Sequence, residues 1–107
     1  MHIRVVKMEV TYLIIYDITN DQIRNRLAEK LECYGLERIQ YSAFIGDLRP
    51  RRLRSLVIDL KKILGKSRKK EEERRLVHIF PVPFSSLGSV IIIGGKEGKE
   101  EKRAEIL

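Results

Sequence analysis

One carboxylate and two arginines near the start of the chain have the side-chain types that phosphodiester chemistry uses. Asp17 directly follows the apolar run of residues 12–16, and Arg24 and Arg26 come a few positions later. A carboxylate can hold a divalent cation, and an arginine can bind phosphate oxygens through two parallel hydrogen bonds. A plainer interpretation also fits, because Asp often begins a strand-to-helix turn and exposed arginines are usually solvated.

Short apolar segments rich in β-branched and aromatic residues predict the strands that would position these side chains. They are Tyr12 to Tyr16, a strand pair within Glu37 to Leu48, Leu76 to Val82, and Val90 to Ile93. Asp17 therefore lies at a strand end. Tyr41-Ser42 is the natural break in the second segment, although one bent strand fits the pattern as well. The last strand is very apolar, and an unpaired apolar edge favours aggregation.

Two amphipathic helices are predicted between these strands, because apolar residues recur there at three- and four-residue steps. The first begins at a cap formed by Asn20 or the next residue and ends at Gly35. The second runs from near Pro50 to Gly65. Asp47 precedes the second helix, where we expect it to act as the cap.

The predicted order of strand, helix, two strands, helix and strand is that of a ferredoxin-like βαββαβ sandwich, an α+β fold. An additional C-terminal strand follows it. We predict an N-terminal extension at residues 1–7, one domain at residues 8–94 and a charged tail at residues 95–107. The sequence has neither an apolar run long enough to span a membrane nor a signal-peptide pattern, so we expect a cytoplasmic protein.

Cysteine and histidine exclude other kinds of site. Cys33 is the only cysteine, so neither an internal disulfide nor a thiolate metal cluster can form within one chain. His2 and His78 have no metal-ligand spacing, and we expect His78 to be a structural or surface residue of a strand.

The net charge of +7 is concentrated in residues 49–75, which contain twelve basic and four acidic residues. Such a cluster attracts polyanions by releasing their counterions. The alternative is a solvated helix face and an exposed loop in a highly charged, heat-adapted protein, and both interpretations can hold together. The candidate nucleic-acid-binding residues are Arg49, Arg51, Arg52, Arg54, Lys61 and Lys62.

Two segments in combination resemble a known family. They are Tyr16-Asp17-Ile-Thr-Asn with the Arg-Asn-Arg of the following helix, and Gly35-Leu-Glu-Arg-Ile-Gln-Tyr-Ser-Ala-Phe-Ile-Gly-Asp-Leu48. In this order and spacing they are similar to the small CRISPR-associated nuclease of the spacer-acquisition module, which is the dimeric partner of the module's integrase. The resemblance covers about Val10 to Gly65 and continues more loosely to about Gly94.

The resemblance implies a homodimer in which the terminal strand extends the partner subunit's sheet. Asp17 from each subunit would then lie near the two-fold axis, where the pair can hold one Mg²⁺, or Mn²⁺ in its place. The other catalytic positions that it implies are Tyr16, Arg24, Arg26, Arg38, Ser42 and Phe44. For Tyr16 and Phe44 the alternative is plain core packing.

The resemblance implies two functions from different classes. The first is a metal-dependent endonuclease that cuts single-stranded RNA or double-stranded DNA in the spacer-acquisition stage of CRISPR immunity. The second is a non-catalytic dimeric scaffold that binds double-stranded DNA and bridges integrase dimers, which the clustered charge favours because such a platform needs many phosphate contacts. A weaker alternative is a toxin-like mRNA endoribonuclease with a related small fold.

Overall fold

The computed structural model describes residues 8–95 of the chain. Its elements in chain order are β1 (Val10–Ile18), α1 (Asp21–Cys33), β2 (Glu37–Gln40), β3 (Ala43–Leu48), α2 (Pro50–Leu64), β4 (Arg75–Val82) and the short helix α3 (Phe84–Leu87). The predicted extension at residues 1–7 and all but the first residue of the predicted tail lie outside the described residues. The division of the chain into these three parts therefore stays a prediction.

The four strands form one antiparallel sheet in the order β2-β3-β1-β4. β1 is a central strand, and its Ile14 lies between Phe44 of β3 and Ile79 of β4. This arrangement confirms the predicted ferredoxin-like α+β fold. It also confirms the break at Tyr41-Ser42, because β2 and β3 are separate strands joined by a tight turn there.

The core lies between one face of the sheet and the two long helices. Alternate residues of a strand point to opposite faces, and the buried apolar residues of β1 are the even-numbered ones. The largest fully buried members of this core are Ile14, Leu27, Leu31, Phe44, Leu48 and Leu56. α2 is the longest helix with 15 residues, and no helix within residues 8–95 is long and apolar enough to cross a membrane.

The first helix begins at the predicted cap, Asn20, and ends at Cys33, two residues before the predicted Gly35. The side-chain oxygen of Asn20 accepts a hydrogen bond from the Ile23 N–H at 3.0 Å, which caps the N-terminus. At the other end Gly35 has φ +84°, a conformation that glycine adopts without strain. The Leu36 N–H then donates to the Leu31 carbonyl at 3.1 Å, closing a Schellman motif.

The prediction that Asp47 caps the second helix is wrong. The N-cap residue is Arg49, which makes no side-chain capping bond, and Pro50 occupies the first helical turn. Asp47 is instead a residue of β3, where its carboxylate accepts a hydrogen bond from the Thr11 hydroxyl of β1. β3 extends to Leu48, so Asp47 lies too early in the chain to reach the first amides of the helix.

The predicted strand at residues 90–93 is also not formed in the single chain. α3 follows β4, and the described residues after it, up to residue 95, have no strand pairing. A strand exists only through hydrogen bonds to a neighbour, and the neighbour expected for this segment was the sheet of a second subunit. Ile91 and Ile93 consequently remain exposed.

Candidate active site and nucleic-acid interface

Asp17 lies near the end of β1, on the sheet face that the two long helices leave uncovered. Its neighbours Tyr16 and Ile18 point into the core, while the Asp17 side chain is 55% exposed. The carboxylate oxygen Oδ2 accepts a hydrogen bond from Nε of Arg74 at 2.9 Å, and the Arg74 side chain is 63% exposed. The predicted site acid is thus accessible and paired with a cation.

Arg74 is a candidate site residue that sequence reasoning missed, since the sequence places it only among the basic residues of the charged segment. Its backbone is fixed against Thr19, whose N–H donates to the Arg74 carbonyl at 3.1 Å and whose hydroxyl accepts from the Arg74 N–H at 3.0 Å. The pairing of β1 with β4 brings these residues together, because Asp17 is opposite Leu76. Asp17 and Arg74 are 57 positions apart in sequence, so no local motif could have predicted their contact.

The donor set at Asp17 is minimal for a metal ion. Within residues 8–95, no group of three or more His, Cys, Asp and Glu side chains could hold a metal. Mg²⁺ usually binds proteins through one or two carboxylates and keeps waters and substrate phosphate oxygens as its other ligands. An exposed carboxylate fits such an ion as one ligand, provided that substrate or a second subunit completes the shell.

Several predicted residues meet at the turn between β2 and β3. The Tyr16 hydroxyl donates to the Tyr41 carbonyl at 3.3 Å, and the Arg38 guanidinium donates to the same oxygen. The Tyr16 N–H donates to the Ser42 carbonyl at 3.0 Å, which fixes the turn beside the strand that carries Asp17. Burial raises the pKa of Tyr16 above its ordinary value, although Arg38 partly offsets this. The phenol therefore stays protonated near neutral pH, so it can donate hydrogen bonds but is no general base.

Arg24, in the first turn of α1, also contacts the turn between β2 and β3. Its guanidinium lies between the end of β1 and the start of α1. Its guanidinium donates to the Ile18 carbonyl at 3.0 Å and pairs with Asp21, and its central carbon lies 5.5 Å from the centre of the Tyr41 ring. The Asp21 hydrogen bond is the main reason that the pKa of Arg24 is raised, so its charge is permanent. The pocket beside it has a volume of about 30 Å³, room for a water or two but not for a nucleotide. Its lining residues are Tyr16, Arg24, Asn25, Ala28, Arg38 and Tyr41.

Of the remaining predicted catalytic residues, Phe44 and Ser42 contact Tyr16 as structural residues, whereas Arg26 lies apart from them. Phe44 is fully buried, with its ring centre 6.3 Å from that of Tyr16 and with the Arg38 guanidinium 4.9 Å from its own centre. Both rings therefore belong to the core, which is the alternative interpretation. Ser42 is half-buried and contacts Tyr16 through its carbonyl. Arg26 is exposed and lines a different pocket of about 250 Å³, together with residues 66 and 67.

The predicted nucleic-acid-binding residues lie on or beside α2 and do not all share one face. Four of them are exposed on the same side of the helix, and we call them the α2 stripe: Arg51, Arg54, Lys61 and Lys62. Arg52 faces elsewhere, because its guanidinium donates to the Tyr34 carbonyl at 3.2 Å and lies 4.7 Å from the centre of the Tyr34 ring. Arg49 is the exposed N-cap residue. The stripe is therefore an exposed basic face that excludes Arg52, with the exposed Ile58 between Arg54 and Lys61.

The basic loop that follows α2 is held in place by Arg75. The Arg75 side chain is 5% exposed and pairs with Glu73 at 2.7 Å, and its hydrogen bond lowers the pKa of that carboxyl. It also donates to the carbonyls of Leu64 at 2.6 Å and Ser67 at 2.7 Å. One buried arginine thus ties both ends of the loop to the last turn of α2, and its own charge is unavailable to a nucleic acid.

Comparisons with known proteins identify the family. The family model described as CRISPR associated protein Cas2 matches residues 9–89. A CRISPR-associated endoribonuclease Cas2 from Archaeoglobus fulgidus is 35% identical over 90% of this chain and 98% of its own length. Another, from Pyrobaculum aerophilum, is 51% identical over 48% of this chain and only 56% of its own length. The chain belongs to the Cas2 family, as its motifs predicted.

A solved structure and a fused relative add to this. A crystal structure of cas2 has a TM-score of 0.60 and 28% identity, covering 88% of this chain and 97% of that one. In Thermoproteus tenax, a CRISPR-associated endonuclease Cas1/endonuclease Cas2 fusion is 43% identical over 41% of this chain and 17% of its own length. The match to the solved structure agrees with the observed fold, and the names of the relatives agree with the predicted nuclease activity.

Proposed function

We propose that this chain is a CRISPR-associated, metal-dependent endonuclease that hydrolyses phosphodiester bonds in single-stranded RNA or double-stranded DNA during spacer acquisition. The observation that carries the proposal is the exposed Asp17 carboxylate at the end of a central strand, in a family whose relatives are named endoribonucleases. Arg74 beside the acid supplies positive charge for a phosphate, whereas the Arg38 guanidinium packs over the Phe44 ring on the helix side of the sheet.

The role of each residue in this proposal follows from what its side chain contacts. Mg²⁺ or Mn²⁺, when bound, supplies an activated water and stabilises charge that develops on the phosphate. Asp17 would be the protein ligand, and Arg74 would donate hydrogen bonds to phosphate oxygens. Arg38 instead donates to the Tyr41 carbonyl and fixes the turn between β2 and β3. Arg24 and Tyr16 are positioning residues, since the first fixes the end of β1 to the start of α1 and the second fixes the turn beside it.

A homodimer completes the site in this proposal. Ile15, Leu76 and Phe80 are exposed apolar side chains on the same sheet face as Asp17. Such a face favours cover by another protein surface, and a second copy across a two-fold axis would bring a second Asp17 to the first. The edge of β4 and residues 90–93 would then be available for pairing between subunits.

The test compares the parent protein with Asp17→Asn on labelled single-stranded RNA and double-stranded DNA, with Mg²⁺, Mn²⁺ or EDTA. We expect cutting only with metal, and none by the variant, while its circular dichroism and dimer mass are unchanged. Asp47→Asn is the matched control, because Asp47 is another exposed carboxylate on the same sheet face. Cutting in EDTA would contradict metal dependence. Equal loss in both variants, or loss of the dimer in Asp17→Asn, would remove Asp17 from the catalytic role.

A second function is supported by a different observation, the α2 stripe. The stripe lies on the outer side of the helix layer, whereas Asp17 lies on the opposite face of the sheet. A non-catalytic dimeric scaffold that binds double-stranded DNA along this surface and bridges integrase dimers would use it without the acid. The Cas1/Cas2 fusion supports the integrase as partner. DNA binding without any cutting in the same assay would make the scaffold the primary function.

A further inference from the structure

We propose that Arg74 is a tethered counter-ion that competes with the divalent cation for Asp17 and then binds a substrate phosphate once it is displaced. The inference rests on the proposed metal site at Asp17. It adds a residue of this chain that sets how tightly the site takes up its cation and that couples this step to substrate binding.

The contact between the two side chains carries the first part of the proposal. Arg74 Nε lies 2.9 Å from Asp17 Oδ2 and donates a hydrogen bond to it. The guanidinium therefore engages one of the two carboxylate oxygens that a metal ion would bind. Each side chain is more than half exposed, and ion pairs that water reaches are weak. A cation can therefore displace the guanidinium, but it must first break this pair.

The backbone around Arg74 carries the second part. Two hydrogen bonds between the main chain of Arg74 and Thr19, at 3.0 and 3.1 Å, fix its backbone beside the end of β1. The buried Arg75 immediately after it fixes the loop to α2. A displaced Arg74 side chain consequently stays near Asp17, where a cation would bring the phosphate of a substrate. A guanidinium binds phosphate oxygens well, because its planar donors match their geometry.

An incidental surface ion pair would look similar in one structure, but it differs in what its removal does. If Arg74 competes for Asp17, Arg74→Gln makes cation binding tighter while it weakens the binding of a nucleic acid. If the pair is incidental, neither changes beyond the effect of removing one positive charge anywhere on the loop. Arg68→Gln measures that general effect, because Arg68 is an exposed arginine of the same loop.

The experiment measures Mn²⁺ binding to the full chain by electron paramagnetic resonance in the parent, Arg74→Gln, Arg68→Gln and Asp17→Asn. We expect Arg74→Gln to bind Mn²⁺ about two- to five-fold more tightly, which is the range expected for loss of an exposed ion pair. Arg68→Gln should change much less, and Asp17→Asn should lose the site. Arg74→Lys, which keeps a charge but not the planar donors, should stay near the parent.

A second arm measures binding of a 2′-O-methyl RNA oligonucleotide, which resists cleavage, at saturating Mn²⁺. The slope of log affinity against log salt is negative, and we expect its magnitude to decrease by about 0.7 in Arg74→Gln. This is the value for one phosphate contact on a single strand.

The outcomes separate this inference from the proposed function. Mn²⁺ binding that is unchanged in Asp17→Asn would refute the metal site itself. Binding that depends on Asp17 but is not tightened by Arg74→Gln, or is tightened equally by Arg68→Gln, would overturn the competition while the metal site stands. An unchanged salt slope would overturn the phosphate contact. If Arg74→Gln fails to fold by circular dichroism, Arg74→Met takes its place, because it also removes the charge, and Mn²⁺ binding that it leaves unchanged overturns the competition.

Discussion

Neutralising Arg51 and Arg54 together should weaken the binding of double-stranded DNA and reduce its salt dependence, whereas neutralising Arg52 should change the salt dependence little. The first two belong to the exposed α2 stripe. The guanidinium of Arg52 is committed to Tyr34, because it donates to the carbonyl at 3.2 Å and stacks over the ring. The three arginines lie within four consecutive positions of the sequence, so sequence position alone does not distinguish their roles.

The expected change in the salt dependence of DNA binding follows from the number of phosphate contacts. Each contact with duplex DNA contributes about −0.9 to the slope of log affinity against log salt, so the four cations of the stripe give about −3.6 per subunit. Arg51→Gln with Arg54→Gln halves this to about −1.8. Raising salt from about 50 mM to about 200 mM then weakens binding by about 150-fold in the parent and by about 12-fold in the double variant.

Fluorescence anisotropy with a labelled duplex over a series of salt concentrations measures these slopes, and circular dichroism checks that each variant is folded. A parent slope that the double variant retains would show that the α2 stripe does not contact phosphates. A change of about 0.9 in Arg52→Gln would show that Arg52 leaves Tyr34 to bind DNA, and the reasoning from that contact would be refuted.

Two more predictions concern the tyrosine and the arginine that join distant parts of the fold. The hydrogen bond to Asp59 raises the pKa of Tyr34, and burial adds to this. The resulting stability is complete below the usual tyrosine pKa of about 10 and is lost as pH rises through the folded-state value. Urea unfolding above pH 10 should thus depend less on pH in Tyr34→Phe than in the parent, and equal dependence would contradict this. Arg75→Gln should speed tryptic cleavage of the loop at residues 66–70, because the loop loses its bonds to α2. Mass spectrometry times the cuts, and rates equal to those of the parent would show that the loop is held by other contacts.

Most of the fold could be predicted because its determinants are local. The period of apolar residues fixed both helices, and Asn20, Gly35 and Pro50 marked their ends through capping geometry. Asp47 was misplaced because an acid before a helix is a cap only when the strand before it ends early enough. The strand at residues 90–93 was predicted from composition, but a strand also needs a neighbour, and one chain does not supply it.

The candidate site was only partly predictable for the same physical reason. Motifs located Asp17, Tyr16 and Arg38 because these lie on two segments that are recognisable in sequence. Arg74 reaches the site through the register of β1 with β4, and Arg75 reaches α2 by turning into the core. Such roles depend on the direction in which a side chain points in the folded chain, and the amino-acid composition does not predict this direction.

The positions of the side chains in the fold also change how the positive charge of the chain should be interpreted. The segment at residues 49–75 holds twelve basic residues, yet Arg75 is buried, Arg52 stacks on a tyrosine and Arg74 pairs with the site acid. Four of the remaining cations form the α2 stripe, on the side of the molecule away from Asp17, and the other exposed ones are Arg49 and the loop residues Lys66, Arg68, Lys69 and Lys70. A nucleic acid that contacts the stripe does not thereby reach the acid. Binding at the stripe and cleavage at Asp17 should consequently be separable by mutation, so Asp17→Asn should keep the DNA salt slope of the parent while it loses cutting.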